Sequence, residues 1–480
     1  MYNIHITEKE NLFVLPSQKG GSNFSFDLFA QRIVIKDFDQ KHKLLVNTFS
    51  NAIDLVDNEL YESLLSNDIK NIPKDILNDL SFRSYTDNAN YCTNKRHEEI
   101  GLLSICPTFS CNHACTYCFQ RNTKLAQKEL QETDYPVLRE NIIRFVNDYR
   151  KNFNQNIFIN VFGGEPIQNS NKHFLNWLFN LAQEIDIKLA FASNVFELPD
   201  FLDLFLKYRK NTFVVCTTLD GINETHNKMR PHKNKNIKPF EQIVKSIDIL
   251  LYMNIPVKIS FNIDKSNYST LSQVLDFAIS KKWFDFDYFY LEIGRVDDRH
   301  YTKKIGNVLT EAEALKYAYE QLVNYKQILK QIKLSFLKTT FYLASAFDIA
   351  FNQDEYGRNF FQYCWATSEI IKGYYIAPDL SIYRCTETVG HEKYKIANLK
   401  ADVDLLSITT TNNIDNECKK CNLWGYCSGG CPITKEKSFE FSCQKEKQAF
   451  DSFFLCFKDE IKDFLNQKIP QNNFNNDFCQ

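Results

Sequence analysis

Short apolar runs alternate with amphipathic stretches through the middle of the chain, from about residue 101 to residue 300. The apolar runs predict strands, and the stretches in which apolar residues recur every three to four positions predict helices. The predicted strands are Leu102–Thr108, Ile157–Phe162, Ile187–Ala192, Phe213–Leu219, Val257–Asn262 and Tyr288–Ile293, and the predicted helices are Val137–Tyr149, His173–Ile185, Phe201–Tyr208, Phe240–Leu251 and Leu271–Lys281. Strands that alternate with helices indicate a parallel sheet, so we expect an α/β protein with a partial (β/α)6 barrel of the TIM type.

The segments that flank this barrel follow other patterns. Near the N-terminus we predict a hairpin over Lys43–Val56 and helices over Asn58–Leu65 and Asp75–Leu80, and beyond the barrel a helix over Glu311–Ile332. The expected divisions are an N-terminal α+β module over 1–100, the barrel over 101–300, a helical bridge over 301–360, a cysteine-rich domain over 361–460 and a polar tail over 461–480.

Composition excludes several classes of protein. The 480 residues are 44% hydrophobic and 24% charged, as in ordinary globular proteins and unlike disordered chains. A net charge of −2 gives no bulk electrostatic reason to bind nucleic acid or an anionic membrane. No apolar stretch approaches the roughly 20 residues that cross a bilayer, and no signal peptide is evident. We therefore expect a cytoplasmic protein that binds neither nucleic acid nor membrane.

Three of the fifteen cysteines stand close together after the first predicted strand, as Cys111, Cys115 and Cys118 in a C-x3-C-x2-C pattern. Clustered cysteines in a reducing compartment usually bind metal. Three thiolates on one tight loop can each hold one iron of a cubane, which leaves the fourth iron without a protein ligand. Such an open position is typical of catalytic metal sites. A zinc site completed by His113 or by a remote ligand is the alternative.

Polar motifs also follow the next three predicted strands. Gly163-Gly164-Glu165-Pro166 follows the second strand, Ser193-Asn194 the third, and Thr217-Thr218-Leu219-Asp220-Gly221 ends the fourth. Glycines let a backbone approach a ligand closely, and a carboxylate can receive an ammonium group. The carboxyl ends of barrel strands are where such folds build active sites, although each motif taken alone could be only a turn.

With Tyr117 before its third cysteine, the C-x3-C-x2-C motif resembles the signature of the radical S-adenosylmethionine (radical SAM) superfamily. The resemblance implies a [4Fe–4S] cluster on Cys111, Cys115 and Cys118 whose open iron chelates S-adenosylmethionine and whose electron cleaves it to methionine and a 5′-deoxyadenosyl radical. Glu165 would hold the methionyl amino group. Thr218 and Asp220 would lie near the ribose. The positions that the resemblance assigns to the cofactor are Tyr117, Gly163, Gly164, Glu165, Ser193, Asn194, Thr218, Asp220 and Arg230.

Arg230 belongs to a stretch that begins at His226 and resembles the H-D-x-x-R sequence of the same subfamily. Asn227 stands where the subfamily usually has aspartate. The resemblance makes Arg230 a candidate for binding the methionyl carboxylate.

A second group of cysteines has the pattern C-x2-C-x5-C-x3-C at Cys418, Cys421, Cys427 and Cys431, with Cys364 and Cys385 before it and Cys443 after it. These seven cysteines resemble a SPASM domain, the C-terminal extension of one branch of radical SAM enzymes. The resemblance implies two auxiliary [4Fe–4S] clusters, one on Cys418, Cys421, Cys427 and Cys443, and the other partly on Cys364, Cys385 and Cys431. The fourth iron of the latter is then either open or bound by a remote ligand such as Cys456. The chain departs from the family at Leu380, where glycine is usual. Two structural zinc sites are the alternative.

The resemblance as a whole implies S-adenosylmethionine, three [4Fe–4S] clusters, an electron donor such as flavodoxin or ferredoxin, and a precursor peptide or protein as substrate. The leading prediction is a maturase that forms a side-chain cross-link in a ribosomally made peptide (RiPP), with the N-terminal segment binding a leader sequence by strand addition. The alternatives are an anaerobic sulfatase-maturating enzyme, which forms formylglycine, and a non-enzymatic iron–sulfur or zinc protein.

Overall fold

The computed structural model describes most of the barrel and parts of both flanking segments. The described residues are 33–48, 53–66, 68–82, 102–122, 129–153, 157–297, 307–336, 343–344, 347, 349, 373–408, 416–427, 429–431, 433–434 and 439–468. Cys364 and most of the expected polar tail lie outside these residues.

Six parallel strands, paired in the order of the sequence, form the centre of the molecule. The strands are β4 (Leu102–Ile105), β5 (Phe158–Val161), β6 (Lys188–Ala192), β7 (Thr212–Thr218), β8 (Val257–Ile263) and β9 (Phe289–Arg295). The helices between them are α3 (Tyr135–Phe153), α4 (Lys172–Glu184), α5 (Leu202–Lys207), α6 (Glu224–Met229), α7 (Phe240–Tyr252) and α8 (Leu271–Ser280). The predicted (β/α)6 arrangement is confirmed, with element bounds within a few residues.

Alternation of side chains in the strands sets the inside and the outside of the barrel. In β8, Val257, Ile259 and Phe261 are fully buried beneath the helices. Lys258, on the same strand, is only half-buried and faces the concave side. Because successive strand residues point to opposite faces, the polar residues share the inner surface of the barrel.

The sheet is larger than the sequence predicts. Strand β10 (Ile332–Ser335) pairs in parallel with β9, and β11 (Gly373–Ile376) pairs in parallel with β4. Two antiparallel strands, β12 (Ser381–Tyr383) and β13 (Ala397–Asn398), complete a ten-stranded sheet. The barrel sheet therefore continues into the segment expected to form a separate cysteine-rich domain.

The predicted helix over Glu311–Ile332 is wrong in its second half. Helix α9 covers Glu311–Leu322 and begins with a capping box on Thr310, and a 3₁₀ segment, Lys326–Gln331, leads into β10. Residues 332–335 alternate between buried and exposed, which is the period of a strand. Four residues carry too little periodicity to separate strand from helix, and pairing with β9 decides the outcome.

The N-terminal module is a three-stranded antiparallel sheet followed by two helices. The elements are β1 (Ile33–Asp37), β2 (His42–Asn47), β3 (Ile53–Asp57), α1 (Asn58–Leu65) and α2 (Lys74–Phe82). The predicted hairpin is β2 and β3, whereas β1 is an additional strand. One face of the sheet packs on α1 and α2, and the other belongs to an apolar cluster with the C-terminal part of the chain. The three-stranded sheet therefore lies between α1 and α2 on one face and the C-terminal part of the chain on the other.

The C-terminal part consists of short helices around the cysteines and two longer ones. They are α10 (Asn416–Lys419), α11 (Trp424–Cys427), α12 (Phe439–Cys456) and α13 (Lys458–Lys468). Helix α12 packs on α9, and Lys316 of α9 forms an ion pair with Glu460 of α13. In the part of the chain that the structure describes, no helix combines the length and apolar character needed to cross a membrane.

Candidate active site at the carboxyl ends of the barrel strands

The loop that carries Cys111, Cys115 and Cys118 follows β4 and is fixed on both sides by main-chain hydrogen bonds. On one side, the N–H groups of Gly164 and Glu165 donate to the carbonyls of Thr108 and Ser110 at 2.9 and 2.8 Å. On the other side, the N–H groups of Ala114 and Thr116 donate to the carbonyls of Pro231 and Met229 at 2.7 and 2.9 Å. The strand ends thus hold the cysteine loop between two neighbouring loops.

Gly163 and Gly164 make the first of these contacts possible. A Cβ atom at Gly164 would lie 2.0 Å from the carbonyl oxygen of Ser110 and 2.4 Å from that of Phe109. A Cβ at Gly163, which has a φ of 137°, would lie 2.5 Å from the carbonyl oxygen of Thr108. The sequence analysis expected the glycines to admit a ligand. In the structure, the close approach that they permit is to the backbone leading into the cysteine loop.

Glu165 is fully enclosed and its carboxylate accepts three hydrogen bonds. The donors are the Ser193 hydroxyl at 2.5 Å and the N–H groups of Asn194 and Ile167 at 2.6 and 2.8 Å. Burial nevertheless raises the pKa of Glu165 from 4.5 to about 7. A carboxylate has roughly four acceptor positions, so one remains for a further donor such as an ammonium group. Three residues assigned to the cofactor by resemblance therefore meet at one point.

A second group joins Tyr117, Asp220 and Arg230. The Tyr117 hydroxyl donates to the Asp220 carboxylate, and the Arg230 guanidinium donates to the Tyr117 hydroxyl at 2.7 Å. Arg230 also lies 3.9 Å from Asp220. The main-chain N–H of Asn262, near the end of β8, donates to Asp220 at 2.9 Å. Burial raises the pKa of Asp220, against the opposing charge of Arg230. The arrangement fixes the aromatic ring of the cysteine loop to the ends of β7 and β8.

The donor set of the cysteine loop fits an iron–sulfur cluster. Cys111, Cys115 and Cys118 are free thiols, and burial raises the pKa of Cys111 to about 12, so that a cation must compensate its thiolate. Among the described residues, no three His, Cys, Asp or Glu side chains converge as tightly as one metal ion requires. The three thiols still interact electrostatically. Three thiolates on one loop can each bind a different iron of such a cluster.

The C-terminal cysteines that the structure describes form no disulfides: Cys385, Cys418, Cys421, Cys427, Cys431, Cys443 and Cys456. Burial raises the pKa of Cys427 to about 12, and the charges of Cys421 and Cys418 act on it, so these three side chains lie near one another. The charges that act on the Cys456 thiol are those of Glu313, Lys316, Glu320 and Glu460. The structure therefore places Cys418, Cys421 and Cys427 near one another, and these are three of the four residues expected to hold one auxiliary cluster.

Leu380 occupies the turn between β11 and β12 with a φ of 64°, the left-handed conformation that favours glycine. Its N–H donates to the carbonyl of Ala377 at 2.9 Å, and its side chain is fully buried. The departure from glycine at this position therefore leaves the turn geometry in place, and burial of the leucine side chain offsets the strain.

Some residues of the site carry no motif that the sequence analysis used. Asn112 donates to the Glu197 carboxylate at 2.9 Å and accepts from the Asn194 side chain at 2.7 Å, so it ties the cysteine loop to the loop after β6. Asn262 is another site residue without a motif. It could have been predicted from its place near the carboxyl end of β8, where the polar residues of the other strands also lie. Thr218 ends β7 opposite Ser260 of β8.

His226 matches the H-D-x-x-R pattern, and its neighbour Asn227 departs from it. Both ring nitrogens of His226 are buried without a hydrogen-bond partner among the described residues. Asn227, which replaces aspartate, accepts a hydrogen bond at 3.1 Å from the main-chain N–H of Phe240 at the start of α7. Its side chain therefore accepts a hydrogen bond from the first turn of α7.

Known proteins are similar to this chain over about three quarters of its length. Residues 105–278 match the family model of the Radical SAM superfamily. The cysteine-type anaerobic sulfatase-maturating enzyme of Clostridium novyi (strain NT) is 25% identical over 382 residues, which cover 74% of this chain and 95% of that protein. Radical SAM cyclopropyl synthase TigE of Paramaledivibacter caminithermalis is 22% identical over 384 residues, which cover 75% of this chain and 74% of that protein.

A solved structure has the same fold. Native anSMEcpe with bound AdoMet and Cp18Cys peptide matches with a TM-score of 0.55 and 18% identity over 77% of this chain and 99% of that chain. Residues 105–278 therefore carry a radical SAM domain, and the chain is an enzyme with an α/β parallel sheet and a cysteine-rich C-terminal part. A radical SAM domain implies S-adenosylmethionine and one [4Fe–4S] cluster.

Proposed function

We propose that the chain is a radical SAM/SPASM maturase that removes a hydrogen atom from a ribosomally made precursor peptide and so forms a side-chain cross-link. The observation that carries this proposal is the N-terminal module. The sheet of this module has the order β1-β2-β3, so β1 and β3 are its edges in the described residues. Sheet edges bind extended peptides by strand addition.

The module is attached to the cysteine-rich part of the chain at a position that suits this role. The Thr48 hydroxyl donates to the carbonyl of Asn422 at 2.6 Å, and the Asn422 amide donates to the carbonyl of Ile33 at 3.3 Å. Asn422 follows Cys421, a proposed cluster ligand. Lys36 of β1 forms an ion pair with Asp451 of α12. A leader held by this module would therefore be anchored beside the auxiliary clusters.

When bound, the cluster and S-adenosylmethionine supply an electron and a carbon-centred radical for hydrogen abstraction. Cys111, Cys115 and Cys118 would hold that cluster, and Glu165 would accept the methionyl ammonium group. The Tyr117–Asp220 pair would orient the nucleoside. The C-terminal cysteines would hold two auxiliary clusters that receive an electron or orient substrate. Flavodoxin or ferredoxin in the cytoplasm would supply the reducing electron.

Oxidation of one cysteine or serine in a sulfatase to formylglycine is the second candidate function. It is favoured by the match to the Clostridium novyi enzyme, which covers 95% of that protein. This function leaves the N-terminal module without a role, and we therefore place it second.

The two functions yield different products from the same preparation. The protein is purified without oxygen, reconstituted with iron and sulfide, and incubated with S-adenosylmethionine, dithionite and either a leader-bearing precursor peptide or a cysteine-containing sulfatase peptide. A cross-link appears as loss of two hydrogen atoms by mass spectrometry, whereas formylglycine is trapped by a hydrazine. Cys115→Ala is the control for cluster-dependent chemistry. An iron-loaded protein that releases no 5′-deoxyadenosine would instead be an electron carrier.

A further inference from the structure

The segment between the end of α6 and the start of α7 carries a concentration of positive charge that the chain as a whole does not have. Five of the eleven residues from 228 to 238, which we call the basic loop, are lysine or arginine and none is acidic, whereas the chain has 57 basic and 59 acidic residues. Arg230 lies 3.9 Å from Asp220 and belongs to the site already described. The other four are exposed lysines: Lys228, Lys233, Lys235 and Lys238.

Two of these lysines have no acidic neighbour among the described residues. Lys238 forms an ion pair with Glu224 at 2.6 Å, and the charge of Lys228 also acts on Glu224. Lys233 and Lys235 form no ion pair or side-chain hydrogen bond within the part of the chain that the structure describes. Four exposed lysines against one glutamate leave this surface strongly positive, and the functions assigned to the barrel so far do not use it.

The backbone of the basic loop is held in shape by side chains of its own. The N–H of Asn236 donates to the Asn234 side chain at 3.1 Å, and the N–H of Asn234 donates to the Nδ1 atom of His232 at 3.0 Å. These bonds fix the main chain that carries Lys233 and Lys235. The two charges therefore stay close together, and a partner that binds them does not have to order the loop first.

The basic loop also lies directly against the cysteine loop. The Lys233 N–H donates at 2.8 Å to the carbonyl of Asn112, which is the residue after Cys111. The rings of His232 and His113 meet edge to face, with their centres 5.5 Å apart. Electron transfer through a protein weakens steeply with distance and is fastest along covalent and hydrogen bonds. The hydrogen bond from Lys233 to Asn112 is therefore part of a short route from the surface to a proposed cluster ligand.

We propose that the basic loop is the docking surface for an acidic electron-donor protein, which passes one electron to the cluster on the cysteine loop. The donor is oxidised by one electron, the cluster is reduced by one electron, and no group is transferred. This inference rests on the proposed function, which takes its reducing electron from outside the chain, and it specifies where that electron enters.

Charge and position together select this partner. Complementary charge raises the rate of encounter between two proteins and orients them, so an exposed set of lysines fits a protein with an acidic surface. A redox protein is favoured over an acidic peptide because the basic loop contacts residues next to the proposed cluster ligands, and electron transfer is the step that requires such closeness.

A charged loop that only keeps the protein in solution is the competing explanation, and the chain contains a matched control for it. Lys151 lies in the last turn of α3, and Lys210 lies two residues before β7. Both are exposed and form no ion pair with a described residue. They lie towards the amino ends of the barrel strands, whereas the cysteine loop follows the carboxyl end of β4. Lys151→Glu/Lys210→Glu therefore makes the same change in net charge as Lys233→Glu/Lys235→Glu, at the other end of the barrel.

The first measurement is of binding, with a bacterial flavodoxin as the acidic one-electron donor. Oxidised flavodoxin is titrated into the reconstituted enzyme by calorimetry at low and at high salt. The wild-type protein is expected to bind, and salt is expected to weaken binding because it screens exposed charges. Lys233→Glu/Lys235→Glu is expected to raise the dissociation constant about tenfold and to reduce its dependence on salt. Lys151→Glu/Lys210→Glu is expected to keep the wild-type affinity.

The second measurement compares two reductants. Formation of 5′-deoxyadenosine is followed with fully reduced flavodoxin and, separately, with dithionite, a small molecule that needs no protein-docking surface. The ratio of the flavodoxin-driven rate to the dithionite-driven rate is expected to fall about tenfold in Lys233→Glu/Lys235→Glu. It is expected to fall less in Lys233→Gln/Lys235→Gln, which removes the positive charges without adding negative ones.

The outcomes separate the docking surface from the proposed function. A ratio that stays at the wild-type value overturns the docking surface, because an equal loss with both reductants assigns the lysines to loop stability or to substrate binding. An equal loss in Lys151→Glu/Lys210→Glu overturns it as well, as does a wild-type protein that dithionite activates but that binds no flavodoxin. A wild-type protein that releases no 5′-deoxyadenosine with either reductant refutes the proposed function itself.

Discussion

Gly164→Ala should loosen the loop that holds the first cluster. The added methyl group would lie 2.0 Å from the carbonyl oxygen of Ser110 and 2.5 Å from the carbonyl carbon of Phe109. Both atoms are main chain, so neither can rotate away. The loop after β5 must instead withdraw from the loop after β4. The hydrogen bonds from the N–H groups of Gly164 and Glu165 to Thr108 and Ser110 would then be lost or lengthened.

The size of the effect follows from these contacts. Each main-chain hydrogen bond contributes about 1 kcal/mol net, and forcing one extra carbon into a packed region costs about 1–3 kcal/mol. The local opening free energy should therefore fall by roughly 3–5 kcal/mol. Amide hydrogen exchange of the Gly164 and Glu165 N–H groups should accelerate by about a hundredfold or more if opening limits exchange.

The assay is hydrogen exchange with mass spectrometry on the iron-free protein, followed by iron analysis after reconstitution. Gly294→Ala is the matched control, because its added Cβ would meet nothing closer than 3.5 Å. We expect Gly164→Ala to show fast exchange at the two loops and reduced iron, and Gly294→Ala to behave as the wild type. Unchanged exchange and full iron loading in Gly164→Ala would refute the reasoning that these two backbones must touch.

Three further predictions concern the cysteines of the loop after β4, the Glu165 carboxylate and the turn before Cys385. Replacement of the three cysteines of the loop after β4 by alanine should abolish cleavage of S-adenosylmethionine and leave about eight irons on the protein by elemental analysis, because the two proposed auxiliary clusters have other ligands. Retained cleavage would mean that another cluster does the chemistry. Binding of S-adenosylmethionine, measured by calorimetry, should tighten as the pH rises through about 7, where the raised pKa of Glu165 lets its carboxylate ionise; the same affinity at pH 6 and pH 8 would contradict this role. Without ligand, the Glu165 carboxyl of the folded protein keeps its proton up to about pH 7, whereas the unfolded chain releases it near pH 4.5. The contribution of Glu165 to the free energy of unfolding therefore falls as the pH rises between those two values. Leu380→Gly should relieve about 1–3 kcal/mol of backbone strain but lose about 2–5 kcal/mol of stabilisation by the buried side chain. A lower thermal midpoint is therefore expected. A higher midpoint would show that backbone strain is the larger effect.

The barrel strands and helices, and the polar residues at the carboxyl ends of the strands, could be predicted from the sequence alone. Apolar runs such as Val257–Asn262 are long, and the stretches on both sides have a clear helical period. The spacing of apolar residues therefore distinguishes strands from helices in this part of the chain. Parallel strands also bring their carboxyl ends to one edge, so motifs after successive strands meet there. For this reason Glu165, Ser193 and Asn194 were expected near one another, and the structure brings them together.

Contacts between segments that are distant in the chain could not be predicted from the sequence pattern and were found in the folded structure. Strand β10 exists because residues 332–335 pair with β9, and no local signal in four residues distinguishes it from the end of a helix. Leu380 takes a glycine-like conformation because burial of its side chain offsets the strain. The ion pair between Lys258 of β8 and Glu292 of β9 depends on the register of the two strands, and a one-residue shift of either strand would move its own side chain to the other face. Spacing along the sequence fixes what lies near in the chain, and strand register and packing fix what lies near in space.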